Sequence, residues 1–428
     1  MKRLFAVLLL ALPMLAASLQ QKMDAYLAPY IERNAFNGVV LVGKGDQVVL
    51  VKGYGMANYE FGIPNTAETR FAIASITKRF TRVVIAKLVE EGKLSEDDLL
   101  AKWAPDFPKA DRITVGMLIR HMSGIRDPQP LRRVIRASYT PAEVVEVLKT
   151  LPLGSEPGAQ YSYTTANYAV LAHIIERVTG QTFAQVVRKY VYEPAGMRDS
   201  GELDTVAVVP RLANGYMPDP YTGGIAVCGP EDISWKTGGG SSYTTARDLM
   251  RFARALYTGR LVPKPLELIP PSVVDGKRVA QSGGAFPGAG ANLLYDVDDE
   301  VTVVVLNNNY ATVAGTVAPA ILRLFLGRDA PNPRLELAAS QDFDPRLIGT
   351  WDVPDRGWVY IIGVRNGRPY AGADPLRRSA ILRMKNGRWF LPLDWQQMEV
   401  KFDDVGKVSE AWLYPPGAEQ PLKMVRRP

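Results

Sequence analysis

Ser75 and Lys78 stand three residues apart in Phe71-Ala-Ile-Ala-Ser75-Ile-Thr-Lys78-Arg-Phe80. On a helix that spacing puts both side chains on one face, a turn from each other. A serine hydroxyl is a poor attacker until a base takes its proton. A lysine becomes that base where a buried, cation-rich setting depresses its pKa. The same four residues also suit an ordinary Ser cap followed by a surface Lys, so other parts of the chain must decide between the two.

The element that carries the pair is readable. Phe80, Val83, Val84, Ile85, Leu88 and Val89 form one apolar stripe, with Arg79, Arg82, Lys87 and Glu90 between them and Gly92 as a stop. Ser75 then falls at a helix N-terminus, where free N–H groups and the dipole favour a developing negative charge. Upstream, residues 20–34 read as an amphipathic helix, and Gly38 to Val42 and Val48 to Val51 as strands joined by a Gly43–Asp46 hairpin turn. That Gly-Lys-Gly joins two strands and lacks the spacing of a phosphate loop.

Downstream, helices are predicted from Ser95, over Ile113 to Gly124, Pro141 to Leu151, Tyr168 to Val178 and Thr245 to Leu256. Strands return at Arg278 to Ser282, Gly290 to Tyr295 and Val301 to Leu306, before a helix over Val313 to Phe325. Strands at both ends with helices between predict one α/β domain whose antiparallel or mixed sheet combines early and late chain, with a helical insertion. Residues 328–345 read as a Pro-rich linker, and 346–428 as a small antiparallel β barrel or sandwich with hairpin signals at Asn366-Gly367 and Asn386-Gly387.

Composition narrows the classes. The chain has 428 residues, 47% hydrophobic and 22% charged, which is globular and not disordered. Its formal charge of +7 includes no basic block, so nucleic acid is not an expected partner. Lys2 and Arg3 precede an apolar run to Ala17, the pattern of a signal peptide over residues 1–18 and hence of a periplasmic or secreted protein. The run is too short to span a bilayer, and no cysteine follows it to take a lipid anchor. Cys228 is the only cysteine and His121 and His173 the only histidines, which excludes an intramolecular disulfide and disfavours a zinc site.

Five stretches then carry a family resemblance over residues 19–327. Ser75-Ile-Thr-Lys78 is an S-x-x-K match, and Pro157–Tyr168 resembles a Y-x-N stretch with its tyrosine at Tyr163. Leu118–Gly124, Glu193–Met197 and Gly239–Leu249 resemble further segments of the same family in the same order. The chain thus resembles the serine β-lactamase-related and penicillin-binding-protein-like hydrolases, in the class C β-lactamase and esterase branch. The resemblance implies an acyl-enzyme at Ser75, proton transfer by Lys78 with Tyr163, and an oxyanion hole from the N–H groups of Ser75 and Gly284. It implies a small-molecule or peptide-like acyl substrate and no metal or organic cofactor. The C-terminal piece resembles, more weakly, a lipocalin-like β domain through Leu347–Trp351.

The third motif, K-T-G or H-x-G, falls by order at Gln281-Ser282-Gly283-Gly284; a literal Lys236-Thr237-Gly238 has no following strand to carry it. Gln281 replaces a cation, and Thr165 replaces the Asn of Y-x-N. Both changes point toward a neutral ester or amide and away from carboxylate-bearing β-lactams or D-amino-acid peptides. They also motivate an alternative, a non-catalytic protein of this fold that binds a peptide or acyl ligand. His121 and His173 read as packing residues, and without G-x-S-x-G a Ser-His-Asp hydrolase is a poor alternative.

Overall fold

The computed structural model describes residues 2–128, 138–203, 206–219, 224–229, 231–311, 313–331, 334–372, 378–416 and 420–427, with side chains from residue 16 onward. Helix α1 (Lys2–Glu32) is continuous through both the N-terminal apolar run and the amphipathic segment. No helix among the described residues is long and apolar enough to cross a membrane.

The main sheet joins the two ends of the region before the late β unit. Early strands β1 (Gly38–Lys44) and β2 (Gln47–Tyr54) lie beside late strands β3 (Ser272–Val274), β4 (Lys277–Phe286), β5 (Ala289–Asp296) and β6 (Val301–Asn307). The order is β3-β4-β5-β6-β1-β2, antiparallel throughout. Strands β5 and β6 are buried at every position, as β1 is at all but Lys44, because helices cover both faces. Alternation divides their side chains. Val39, Leu41, Leu293 and Val304 face a core with α2 (Thr77–Glu90), α5 (Ala166–Thr179) and α6 (Ala246–Tyr257). Val40, Val42, Leu294 and Val303 face a second core with α1 and α7 (Ala314–Phe325).

Two expected helices differ. After Ser95 there is a turn, with Asp98 accepting from the Ser95 N–H, and then only a 3-10 turn over Leu100–Lys102. The Ile113–Gly124 segment shortens to α3 (Val115–Ile119), capped by Thr114. His121 turns away with φ +57°, so the apolar residues that follow pack from a loop. The α4 helix (Pro141–Lys149) has the predicted start, with a Thr140/Glu143 capping box.

The late chain forms two five-stranded antiparallel sheets around Leu347, Trp351, Tyr360, Trp389, Met398 and Leu413. They form a sandwich, with no closed barrel among the described residues. Asn366 and Gly367 both take positive φ, the type I′ geometry; at Asn386-Gly387 only the glycine does, so that turn is of another kind.

Candidate active site

Ser75 is placed by a short strand and a strained corner. Phe71-Ala72 pairs with Ser242–Thr244, and the Ile73 N–H donates to the Ser242 carbonyl at 3.0 Å. Ala74 then takes φ +46°, a left-handed conformation costing a non-glycine residue about 1–3 kcal/mol. A 3-10 turn over Ala74–Ile76 runs directly into α2. Ser75 therefore sits at the start of the helical run, with its side chain on the face that carries Lys78.

Lys78 is buried, and its Nζ donates to Ser75 Oγ at 3.1 Å and to the Gly239 carbonyl at 2.7 Å. Burial pushes the ammonium down to about 7, against the opposing pull of the Asp127 carboxylate. That depression makes the neutral amine, the form that can accept the serine proton, accessible near neutral pH. Three bonds seat α2 against the 238–242 segment. The Gly239 contact is one; the others are Thr81 Oγ1 to the Gly238 carbonyl at 2.6 Å and the Ser242 N–H to Thr77 Oγ1 at 3.1 Å. Beneath that segment, half-buried Glu202 accepts from Ser242 Oγ, Ser241 Oγ and Tyr192, and desolvation raises its carboxyl pKa.

Tyr163 comes from the opposite wall, with its hydroxyl 2.7 Å from Ser75 Oγ. The residue as a whole is 52% exposed, while desolvation of its hydroxyl raises the phenol pKa. Its segment is held by Asp127, which accepts from the Thr164 hydroxyl, from Thr165 N at 2.8 Å and from Ala166 N at 3.1 Å. Asp127 thus caps α5 and sets the charge felt by Lys78. His121 packs against Tyr163 with ring centres 4.5 Å apart and planes tilted by 33°, and burial with the nearby Lys78 holds its pKa at about 4. It packs and does not touch Ser75, in keeping with the sequence reading. His173 lies buried on α5.

Strand β4 supplies the third wall. A Cβ on Gly284 would fall 2.3 Å from the Ile73 carbonyl and 2.8 Å from Ser75 N, so only glycine lets this strand come so close. Gly283 faces cavities on both sides of Ser75. Ser282 Oγ accepts from Arg79 Nε at 2.6 Å. Gln281 Nε2 donates to Asn292 Oδ1 at 3.2 Å and to the Gly315 carbonyl at 3.3 Å. Thr165 does not reach Lys78 by a hydrogen bond; it packs on the Gly239 backbone, whose carbonyl binds the lysine instead. Lys236-Thr237-Gly238 straddles the end of a 3-10 turn, with Lys236 2.6 Å from Glu231, and lies off the sheet.

Asp127, Glu202 and Arg79 were not among the residues singled out from the sequence, and Gly239 was marked only as the start of a matching stretch. Of the first three only Arg79 left a signal there, its helical spacing from Ser75. No group of His, Cys, Asp and Glu among the described residues is arranged to hold a metal ion.

A family model described as Beta-lactamase matches residues 19–326. The chain belongs to the beta-lactamase family. Penicillin-binding protein 4* of Bacillus subtilis is 26% identical over 435 residues, 91% of this chain and 95% of that protein. A teichoic acid D-alanine hydrolase of Staphylococcus aureus is 28% identical over 226 residues, 51% of this chain. The match spans only about half of that relative, 54% of its length. The D-amino acid amidase of Ochrobactrum anthropi SV3 superposes with a TM-score of 0.63 at 22% identity, over 72% of this chain and 98% of that one, which shows a common fold. The expected recognition, fold class and enzyme class, a serine hydrolase of this family, agree with these relatives.

Proposed function

We propose that this beta-lactamase-family protein is a serine hydrolase that passes through an acyl-Ser75 intermediate on an ester or amide. The observation that carries the reading is a serine hydroxyl held between a lysine with a pKa near 7 and a tyrosine hydroxyl. In the proposed cycle Ser75 Oγ attacks the carbonyl carbon while its proton passes to neutral Lys78, with Tyr163 bridging toward the leaving group. The C–O or C–N bond breaks as the leaving group takes that proton. Water then attacks the acyl-serine with the same groups as base and acid. Ser75 N–H and the backbone of Gly284, pressed against it, are the proposed oxyanion donors. The name of the staphylococcal relative puts acyl links to small D-amino acids among the substrates to try first. Export by the Lys2–Ala17 leader belongs to the same proposal.

Intact-mass measurement after a fluorophosphonate probe tests it. One adduct is expected on the wild type and none on Ser75→Ala. Silence from well-folded wild type would sink the hydrolase reading and favour a binding protein on this fold.

A further inference from the structure

Positions 75, 78, 79 and 82 share one face of the helical run, so Arg79 and Arg82 extend the line that begins with Ser75 and Lys78. All four line a cavity of about 250 Å³ with no carboxylate among its described lining residues. Arg79 is anchored only by neutral oxygens, those of Ser282 and the Gln281 carbonyl. Arg82 Nε is buried without a hydrogen-bond partner. Arg82 also borders a second cavity of about 470 Å³, whose acids are Glu90, Glu96 and Glu267. Those acids pair elsewhere, with Lys87, Arg120 and Lys264.

Among the described residues, then, neither arginine has a carboxylate partner. Placing two guanidinium groups side by side with no counter-charge costs desolvation and mutual repulsion. Burial, together with the charge of Arg82, lowers the pKa of Arg79. Such a pair is arranged to receive an anion, and planar guanidinium donors match the oxygens of carboxylate or phosphate.

The neighbouring strand explains why the charge is here. Gln281, where a cation was expected, is neutral and spends its amide N–H groups on Asn292 and Gly315. Taken alone it points to an uncharged substrate. Arg79 restores the charge from α2, bonded to the backbone of that same residue. Across Ser75 lies the opposite case: a cavity of about 360 Å³ whose described walls are mainly glycine and alanine, with no charged side chain among them.

We propose that Arg79 and Arg82 form an anion subsite beside Ser75, selecting esters or amides that carry a carboxylate or phosphate close to the scissile carbonyl. The small uncharged part of the substrate lies on the α7 side. This rests on the hydrolase reading above, and the two can fail separately.

The test compares phenyl acetate, 3-acetoxybenzoate and 3-acetoxyphenyl phosphate on full-length wild type, Arg79→Gln, Arg82→Gln and Arg82→Lys. For at least one anionic ester, wild-type kcat/KM should exceed that for phenyl acetate by about 10-fold, mainly through KM. The two esters show whether carboxylate or phosphate is preferred. Either Gln variant should bring the ratio close to one, and Arg82→Lys should restore part of it. Equal kcat/KM for charged and neutral esters, with turnover still dependent on Ser75, would overturn the subsite and leave the hydrolase reading standing. If no ester is turned over, calorimetric titration of Ser75→Ala with benzoate and phenyl phosphate decides. Saturable binding that disappears on adding Arg82→Gln supports the subsite; absence of binding to Ser75→Ala overturns it.

Discussion

Lys78 and its surroundings set how activity should depend on pH. A lysine with its pKa depressed to about 7 is protonated, and useless as a base, below that pH. Turnover per folded molecule should therefore rise through about pH 7 and level off above it. His121 cannot supply this limb, because its pKa is held near 4, and Tyr163 is raised, away from the neutral range. Asp127 pulls the lysine upward, so Asp127→Asn should move the limb to lower pH. The amide keeps an oxygen to cap α5, which separates the charge from the fold. A kcat/KM profile on wild type and Asp127→Asn checks both; an unmoved limb would assign the titration to some other group. Tyr163→Phe removes one of the two groups bonded to Ser75 Oγ and should lower kcat by about 10²-fold or more, with Tm little changed because the residue is half exposed.

At the scale of elements, the approach of β4 to the Ser75 corner is the geometry on which the proposed oxyanion site depends. The atoms that a Cβ at position 284 would strike are the Ile73 carbonyl and Ser75 N, both backbone, so no side-chain rotation relieves the overlap. Gly284→Ala should lower fluorophosphonate labelling and ester turnover by about 10²-fold, the scale of losing one oxyanion donor. Circular dichroism should still show folded protein; unchanged labelling would mean that the strand is not pressed on Ser75 in solution. Legibility in the sequence follows the same division of elements. Strands β1, β5 and β6 and helices α2, α5 and α6 were readable, because long apolar runs and 3.6-residue stripes report burial directly. The helix expected after Ser95 was not formed, since a Ser with nearby acids also makes a turn. Ser75, Lys78 and Tyr163 could be proposed from motif order, and the structure puts their polar atoms within hydrogen-bond reach. Gly239 opens a stretch that could be read, but its role runs through a carbonyl that every residue possesses; Asp127 and Glu202 act from loop or short-strand positions with no periodicity and left no pattern to read.

For the whole molecule, the question is what the late β unit does for the site. Its Trp395 packs on Tyr30 of α1, ring centres 4.1 Å apart, and on Phe390 at 5.0 Å. Met384 and Leu393 join the same core, on the sheet face covered by α1 and α7. The helix bearing Ser75 and Lys78 packs in the other core. Among the described residues, none beyond Gly315 lines either cavity beside Ser75. The described part of the late unit therefore braces α1 from the far side and does not line the cavities at the nucleophile. Trp395→Ala opens a hole in a buried aromatic contact and should cost about 3–5 kcal/mol of stability, read as a clear fall in Tm. Below that Tm the rate of Ser75 labelling should match the wild type, because the lysine, the tyrosine and β4 are held by bonds that do not pass through Trp395. A variant that remains folded and yet labels many times more slowly would show that the bracing reaches across the sheet. It would also make the late β unit part of the working site.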